Sequence, residues 1–177
     1  MMNEKINKAF VKCSVNGCLQ SEGRSHFGIK EDIKKGVSCL VNVRSKSEFI
    51  VENKTVNPIQ FLAIDGCVWD SSDAVKRCDF ALFNTSDFCF VELKCRTSTS
   101  DGIKHRRSDA IGQIESTVDQ FLQNNISFKG YKIEAYIVFA KGIKKPKSAG
   151  GGFQSARSRL KRKFNLKLIE DRKKTFK

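Results

Sequence analysis

Polar and apolar residues alternate through the middle of the chain, and a helical repeat takes over on either side. At the N-terminus Ile6, Ala9, Phe10 and Cys13 recur at helical spacing and predict a short helix over residues 4–13. Residues 14–36 are polar and spaced by glycines, which reads as loop with at most one helical turn. Strand-like runs follow at 39–43, 48–51 and 59–64, the last continuing through Asp65-Gly66 into 67–69. After the polar break Asp70-Ser71-Ser72-Asp73, two more strands are expected at 74–83 and 88–95, joined by the turn Asn84 to Asp87. The period then becomes helical: Ser108 can cap a helix whose one face carries Ile111, Ile114, Val118, Phe121 and Leu122. A strand at 131–139 is next, then a basic, glycine-ended loop at 144–152. A last helix follows, with Ala156, Leu160 and Phe164 inward, and an edge strand at 166–169. This order predicts an α/β (α+β) single domain, with a mixed central sheet that contains a β-meander and is flanked by helices.

The hairpin of residues 77–95 carries the most specific information. With the turn at Asn84 to Asp87, Phe83 faces Phe88, Ala81 faces Phe90 and Asp79 faces Glu92. Two carboxylates then stand opposite one another, with Cβ atoms about 5 Å apart. Lys94 lies two residues beyond Glu92 on the same face. The other face, with Cys78, Phe80, Leu82, Cys89, Val91, Leu93 and Cys95, is apolar and should pack inward. Facing carboxylates in a half-buried sheet repel, and a divalent cation with hard oxygen ligands, Mg²⁺ or Mn²⁺, offsets the repulsion best. A bland alternative is an ordinary Glu92–Lys94 surface ion pair with Asp79 solvated.

Composition narrows the classes. The 177 residues are 40% hydrophobic, enough for a core, and no run approaches the roughly 20 apolar residues of a membrane span. The N-terminus lacks the pattern of a secretory signal, so a cytoplasmic protein without a membrane role is expected. The seven cysteines are odd in number and several sit in apolar runs, which favours buried free thiols over a disulfide framework. Cys13 and Cys18 have zinc-ligand spacing but no second pair to complete a site. The net charge of +14 is uneven: residues 141–177 hold 14 Lys and Arg against Glu170 and Asp171. That density favours a polyanionic partner, with a solubilising tail as the plain alternative. The cations that would grip a phosphate backbone are Lys144, Lys145, Lys147, Arg157, Arg159, Lys161 and Arg162.

Asp79, twelve intervening residues, then Glu92-Leu93-Lys94 resembles the signature of the PD-(D/E)xK nuclease superfamily, which includes type II restriction enzymes and archaeal Holliday-junction resolvases. The resemblance covers about residues 55–140 and implies a restriction-endonuclease-like core within a domain spanning 1–177, its C-terminal part 141–177 basic. It implies metal ligation by Asp79, Glu92 and the Leu93 carbonyl, a catalytic Lys94, and Gln113 as an accessory catalytic residue on the following helix. Cys78 stands where many members have proline. The first-helix glutamate of many members has no clear match, Glu4, Glu22 and Glu31 being weak candidates. The activity implied is Mg²⁺- or Mn²⁺-dependent hydrolysis of nucleic acid, DNA ahead of RNA, in a restriction, antiphage or mobile-element setting. With no separate base-reading module, specificity would come from a homodimer, a protein partner or nucleic-acid shape. The rival reading is a catalytically inactive nuclease fold serving as an adaptor in a larger nucleic-acid-binding complex. Asp65 reads as a turn residue, with an accessory role near the site as the alternative; His105 belongs to a basic loop that is either solvated or in contact with phosphate; Glu115 reads as solvated and Trp69 as packing.

Overall fold

A computed structural model of the chain describes residues 1–32, 34–43, 46–95, 100–140 and 151–177, with Ser100 and Asp101 described in backbone only. The architecture is mixed α/β: two mixed sheets, one of six strands and one of four, with helices on the outer face of the larger. Helices α1 (Met2–Ala9) and α2 (Val11–Asn16) replace the single N-terminal helix expected. The extended backbone of Phe10 breaks them apart, yet Ile6, Phe10 and Cys13 still reach the core together.

The six-stranded sheet runs β1 (Leu19–Glu22), β5 (Ile59–Ala63), β6 (Phe80–Phe83), β7 (Asp87–Lys94), β8 (Lys132–Phe139), β9 (Leu166–Glu170). Its first four strands pair antiparallel, so β5–β6–β7 is the predicted meander. The last three are parallel, because α3 (Ser100–Gln123) and α4 (Gly151–Phe164) each carry the chain back across one face. The β6–β7 register pairs Phe83 with Phe88 and Ala81 with Phe90, as the turn position dictates. In the turn itself the Asn84 side-chain oxygen accepts from the backbone N–H groups of Ser86 and Asp87, at 2.9 and 2.7 Å, which fixes its length.

The smaller sheet runs β10 (Lys173–Phe176), β4 (Phe49–Asn53), β2 (His26–Asp32), β3 (Val37–Val41). It covers the inner face of the larger one, where Phe27, Ile29, Phe49 and Val51 meet Phe61, Phe80, Leu82 and Val91. Both faces of the hairpin are therefore buried: Ala81, Phe83, Phe88 and Phe90 pack under α3, and Phe80, Leu82, Cys89 and Val91 under the second sheet. A buried charge cluster anchors β10, since Lys174 Nζ lies 2.6 Å from Glu134 and 3.0 Å from Asp87.

Several expectations need correction. The segment 14–36 is not loop but holds the end of α2 and strands β1 and β2, for Phe27 and Ile29 alternate on a face that only the second sheet buries. Residues 67–69 form no strand; a single bridge joins Asp65 and Trp69 around Gly66, whose φ is +74°. A side chain there would also meet the Gly36 carbonyl oxygen 2.6 Å away, so the glycine lets the β2–β3 hairpin close onto this turn. The strand expected over 74–83 is ordered as β6 only from Phe80, and β10 was not foreseen. Helix α3 starts at Ser100, eight residues before the expected cap at Ser108, because Ile103 and Arg107 extend the buried stripe, the latter through an ion pair with Glu170. His105 thus lies on a helix and not in a loop, and Leu122 is exposed. Finally, Cys18 and Cys67 form a disulfide, which removes Cys18 from any zinc pair with Cys13; the other five cysteines are free. Among the described residues no helix is long and apolar enough to cross a membrane.

Candidate functional site

The hairpin register leads Asp79 and Glu92 to one end of the larger sheet. Glu92 sits within β7 and Asp79 immediately precedes β6. The Asp79 carboxylate accepts the Leu93 backbone N–H at 2.5 Å, which ties the two strand ends together across the ladder. The Asp79 carbonyl accepts the backbone N–H groups of Ile64 and Asp65, at 2.9 and 3.1 Å, so the turn after β5 is held at the same place.

Glu92 is 2% exposed. Its Oε1 pairs with Lys94 Nζ at 2.7 Å, and its Oε2 has no hydrogen-bond partner. Burial pushes its carboxyl well above the usual range, the Asp79 charge pushes it further, and Lys94 opposes both. Asp79 is pushed up to about 7, first by burial and then by the charges of Asp65 and Glu31, against the Leu93 hydrogen bond and Lys94. Burial alone would lower the Lys94 ammonium, but Glu92 and Asp109 outweigh it, and the net shift is upward.

Helix α3 supplies the other wall. Asp109, Gln113 and Thr117 recur every four residues and share a face. Lys94 Nζ lies 2.9 Å from Asp109 Oδ2 and 2.6 Å from Gln113 Oε1. Gln113 Nε2 donates to the Arg77 carbonyl at 2.9 Å, and Thr117 Oγ1 accepts from the Cys78 N–H at 2.8 Å. The segment leading into β6 is therefore pinned to α3 by side chains. The Arg77 Nε donates to Asp65 Oδ1 at 2.5 Å, which draws the turn after β5 into the same network. The three ammonium hydrogens of Lys94 match three acceptors: Glu92, Asp109 and Gln113.

Of the residues expected from the sequence, Asp79, Glu92, Leu93, Lys94 and Gln113 come together. Lys144, Lys145 and Lys147 lie outside the described residues. Arg157 and Arg162 are exposed on α4, Arg157 over the Phe153 ring. Arg159 instead pairs with Glu115 at 2.7 Å, which makes Glu115 a bridge between α3 and α4, and Lys161 donates to Asn165 at 2.5 Å. Asp109 and Arg77 were missed, while Asp65, read as a turn residue or an accessory to the site, pairs with Arg77. Asp109 had one available signal, its place four residues before Gln113.

No family model, curated protein or solved structure matches this chain. The geometry must therefore speak through chemistry. A cation shell needs hard oxygen donors, and Asp79 with the unpartnered Glu92 Oε2 supplies them. Among the described residues no three or more Asp, Glu, His or Cys side chains group together so as to hold a metal ion. Mg²⁺ suits such an open set, since it keeps several waters and is typically held by one or two carboxylates plus substrate phosphate.

Proposed function

We propose that the chain is a metal-dependent nuclease of the PD-(D/E)xK type that hydrolyses phosphodiesters of nucleic acid, DNA ahead of RNA. The observation that carries this reading is the buried Glu92, one oxygen on Lys94 and the other without a partner, beside an Asp79 whose carboxyl burial pushes up. A fold does not keep two facing acids and an orphaned carboxylate oxygen in a low-dielectric place without compensation. The order of elements agrees with the family core, for the β5–β6–β7 meander is followed by α3 and then by β8 parallel to β7. The basic balance of the chain supports a polyanionic substrate.

In this reading Asp79, Glu92 and the Leu93 carbonyl hold Mg²⁺ or Mn²⁺. A bound cation lowers the pKa of its water and offsets charge on the phosphoryl oxygens. The reaction adds one water across a P–O ester bond: a P–O bond to the water oxygen forms, and the bond to the leaving sugar oxygen breaks. Lys94 presents positive charge to the phosphoryl oxygen or to the attacking water. All its hydrogens are in use, so that contact requires one partner to yield. Asp109 is far more exposed than Glu92 and can be replaced by phosphate oxygen, while Gln113 keeps the amine aimed.

One observation favours the adaptor instead: Lys94 already compensates Glu92, so the site is chemically tolerable with no cation. The two readings part on one experiment. The purified protein is incubated with plasmid, linear, single-stranded and RNA substrates in Mg²⁺, Mn²⁺ or EDTA. Cleavage that requires the cation is expected. Binding without cleavage of any substrate, alone or with its natural partner, establishes the adaptor.

A further inference from the structure

The surroundings of the candidate site are acidic. Asp79 and Asp109 each repel Glu92, Asp65 and Glu31 repel Asp79, and the nearby cations Arg77 and Lys94 are both tied to carboxylates. The neighbouring Arg107 is also neutralised, being buried against Glu170. A polyanion approaching such acidic surroundings needs an unneutralised cation beside the reacting centre. Helix α3 provides one. Arg106 lies three residues before Asp109 and seven before Gln113, so it continues the stripe whose two polar members hold Lys94. At 1.5 Å rise per residue it stands about 4.5 Å along the axis from Asp109. It is exposed and has no hydrogen bond or ion pair among the described residues. His105, next to it and four residues before Asp109, is exposed too, and its ring can add a donor on the same flank.

From this placement we propose that Arg106, flanked by His105, is a substrate-positioning residue: its guanidinium binds the nucleic-acid backbone phosphate next to the one at Asp79, Glu92 and Lys94. The proposal rests on the nuclease reading and gives its site a direction, with the strand running along α3 toward the helix N-terminus. The planar fork of Arg suits two phosphate oxygens at once, which a lysine cannot reproduce. Arg106 stabilises substrate and transition state alike, so it acts through KM and not kcat.

The test uses the full chain and Arg106→Ala, Arg106→Lys and His105→Ala, with a fluorescent single-stranded or duplex oligonucleotide as probe. Anisotropy titrations in EDTA over a salt series report binding without cleavage. Steady-state cleavage in Mg²⁺ reports KM and kcat. Arg106→Ala should weaken binding about 10-fold and lower the salt slope by about 0.7–0.9, the loss of one phosphate contact. KM should rise by a similar factor with kcat nearly unchanged, and Arg106→Lys should recover only part of it. Thermal melting should stay nearly unchanged, because the side chain is exposed. An unchanged slope and KM in Arg106→Ala, with wild type still cleaving, would overturn the positioning role and leave the nuclease reading standing. Oligonucleotide binding with the expected loss in Arg106→Ala but no cleavage by wild type would support the phosphate contact and overturn the nuclease reading. Absence of any oligonucleotide binding by wild type would overturn both.

Discussion

If the orphaned Glu92 oxygen and the raised Asp79 carboxyl form a cation site, divalent ions must stabilise the fold even when no substrate is present. In the unfolded chain Asp79 loses its proton near the ordinary value of about 3.9; in the folded protein it does so at about 7. The sign follows from linkage. A raised carboxyl leaves stability intact below about pH 4 and removes it progressively as pH climbs toward 7, after which the penalty is constant. At 1.36 kcal/mol per pH unit the gap amounts to about 4 kcal/mol, an upper figure because Asp79 is only partly buried. Above pH 7, in EDTA, wild type should therefore be less stable than Asp79→Asn, whose amide oxygen still accepts the Leu93 N–H without carrying charge. Adding 10 mM Mg²⁺ or Mn²⁺ to a site with a Kd of about 1 mM would return about 1.4 kcal/mol, from RT ln(1 + [L]/Kd). For a chain of this length that is a rise in Tm of about 3–6 °C. Thermal and urea melts at pH 5, 6, 7 and 8, in EDTA and in each cation at matched ionic strength, measure all of this. The cation gain should grow with pH through the 5–7 window and vanish in Asp79→Asn. Equal melting of wild type with and without cation at pH 8, or an equal gain in Asp79→Asn, would refute the metal assignment whatever the nuclease assays show.

Other expectations follow from named contacts. Lys94→Ala should reduce cleavage by about 10²–10³, the loss of one preorganised donor. Unlike a surface lysine it should also destabilise the protein in EDTA, by up to about 3–5 kcal/mol at high pH, because Glu92 is left buried and uncompensated; an unperturbed urea midpoint would mean that Glu92 simply stays protonated. Reduction of the Cys18–Cys67 bond, or Cys67→Ser, should lower stability by about 2–4 kcal/mol, since the bridge closes a loop of 49 residues, and melts with and without reductant report it. Arg157→Ala with Arg162→Ala should flatten the salt dependence of nucleic-acid binding more than Arg159→Ala, whose guanidinium is already taken by Glu115.

The parts of the molecule that were legible in the sequence are those fixed by local rules. A period of two and an Asn-led turn determine the β6–β7 register, so the approach of Asp79 to the Glu92-Leu93 end of β7 needed no knowledge of the rest of the chain. The same locality explains α4, whose Ala156, Leu160 and Phe164 stripe is complete within one helix. What stayed hidden is held together across large separations. Strand β10 pairs with β4 more than 120 residues away, and Lys174 finds Glu134 and Asp87 only once both sheets exist. Cys18 and Cys67 are ordinary thiols until the turn after β5 meets the end of α2. Asp109 shows why a candidate site is harder to read than a fold. Nothing in its neighbours sets it apart from Glu115 or Asp119 on the same helix. The difference is azimuth: Glu115 and Asp119 turn toward Arg159 and Lys163 of α4, whereas Asp109 turns toward Lys94. That azimuth depends on α3 beginning at Ser100 and burying Ile103 and Arg107, and Arg107 holds its stripe position as a charged residue, paired with Glu170 and lying over the Phe139 and Phe153 rings. A signature such as Asp-x₁₂-Glu-x-Lys thus names the acids and the lysine, while the helix that aims the lysine is chosen by packing that no short motif encodes.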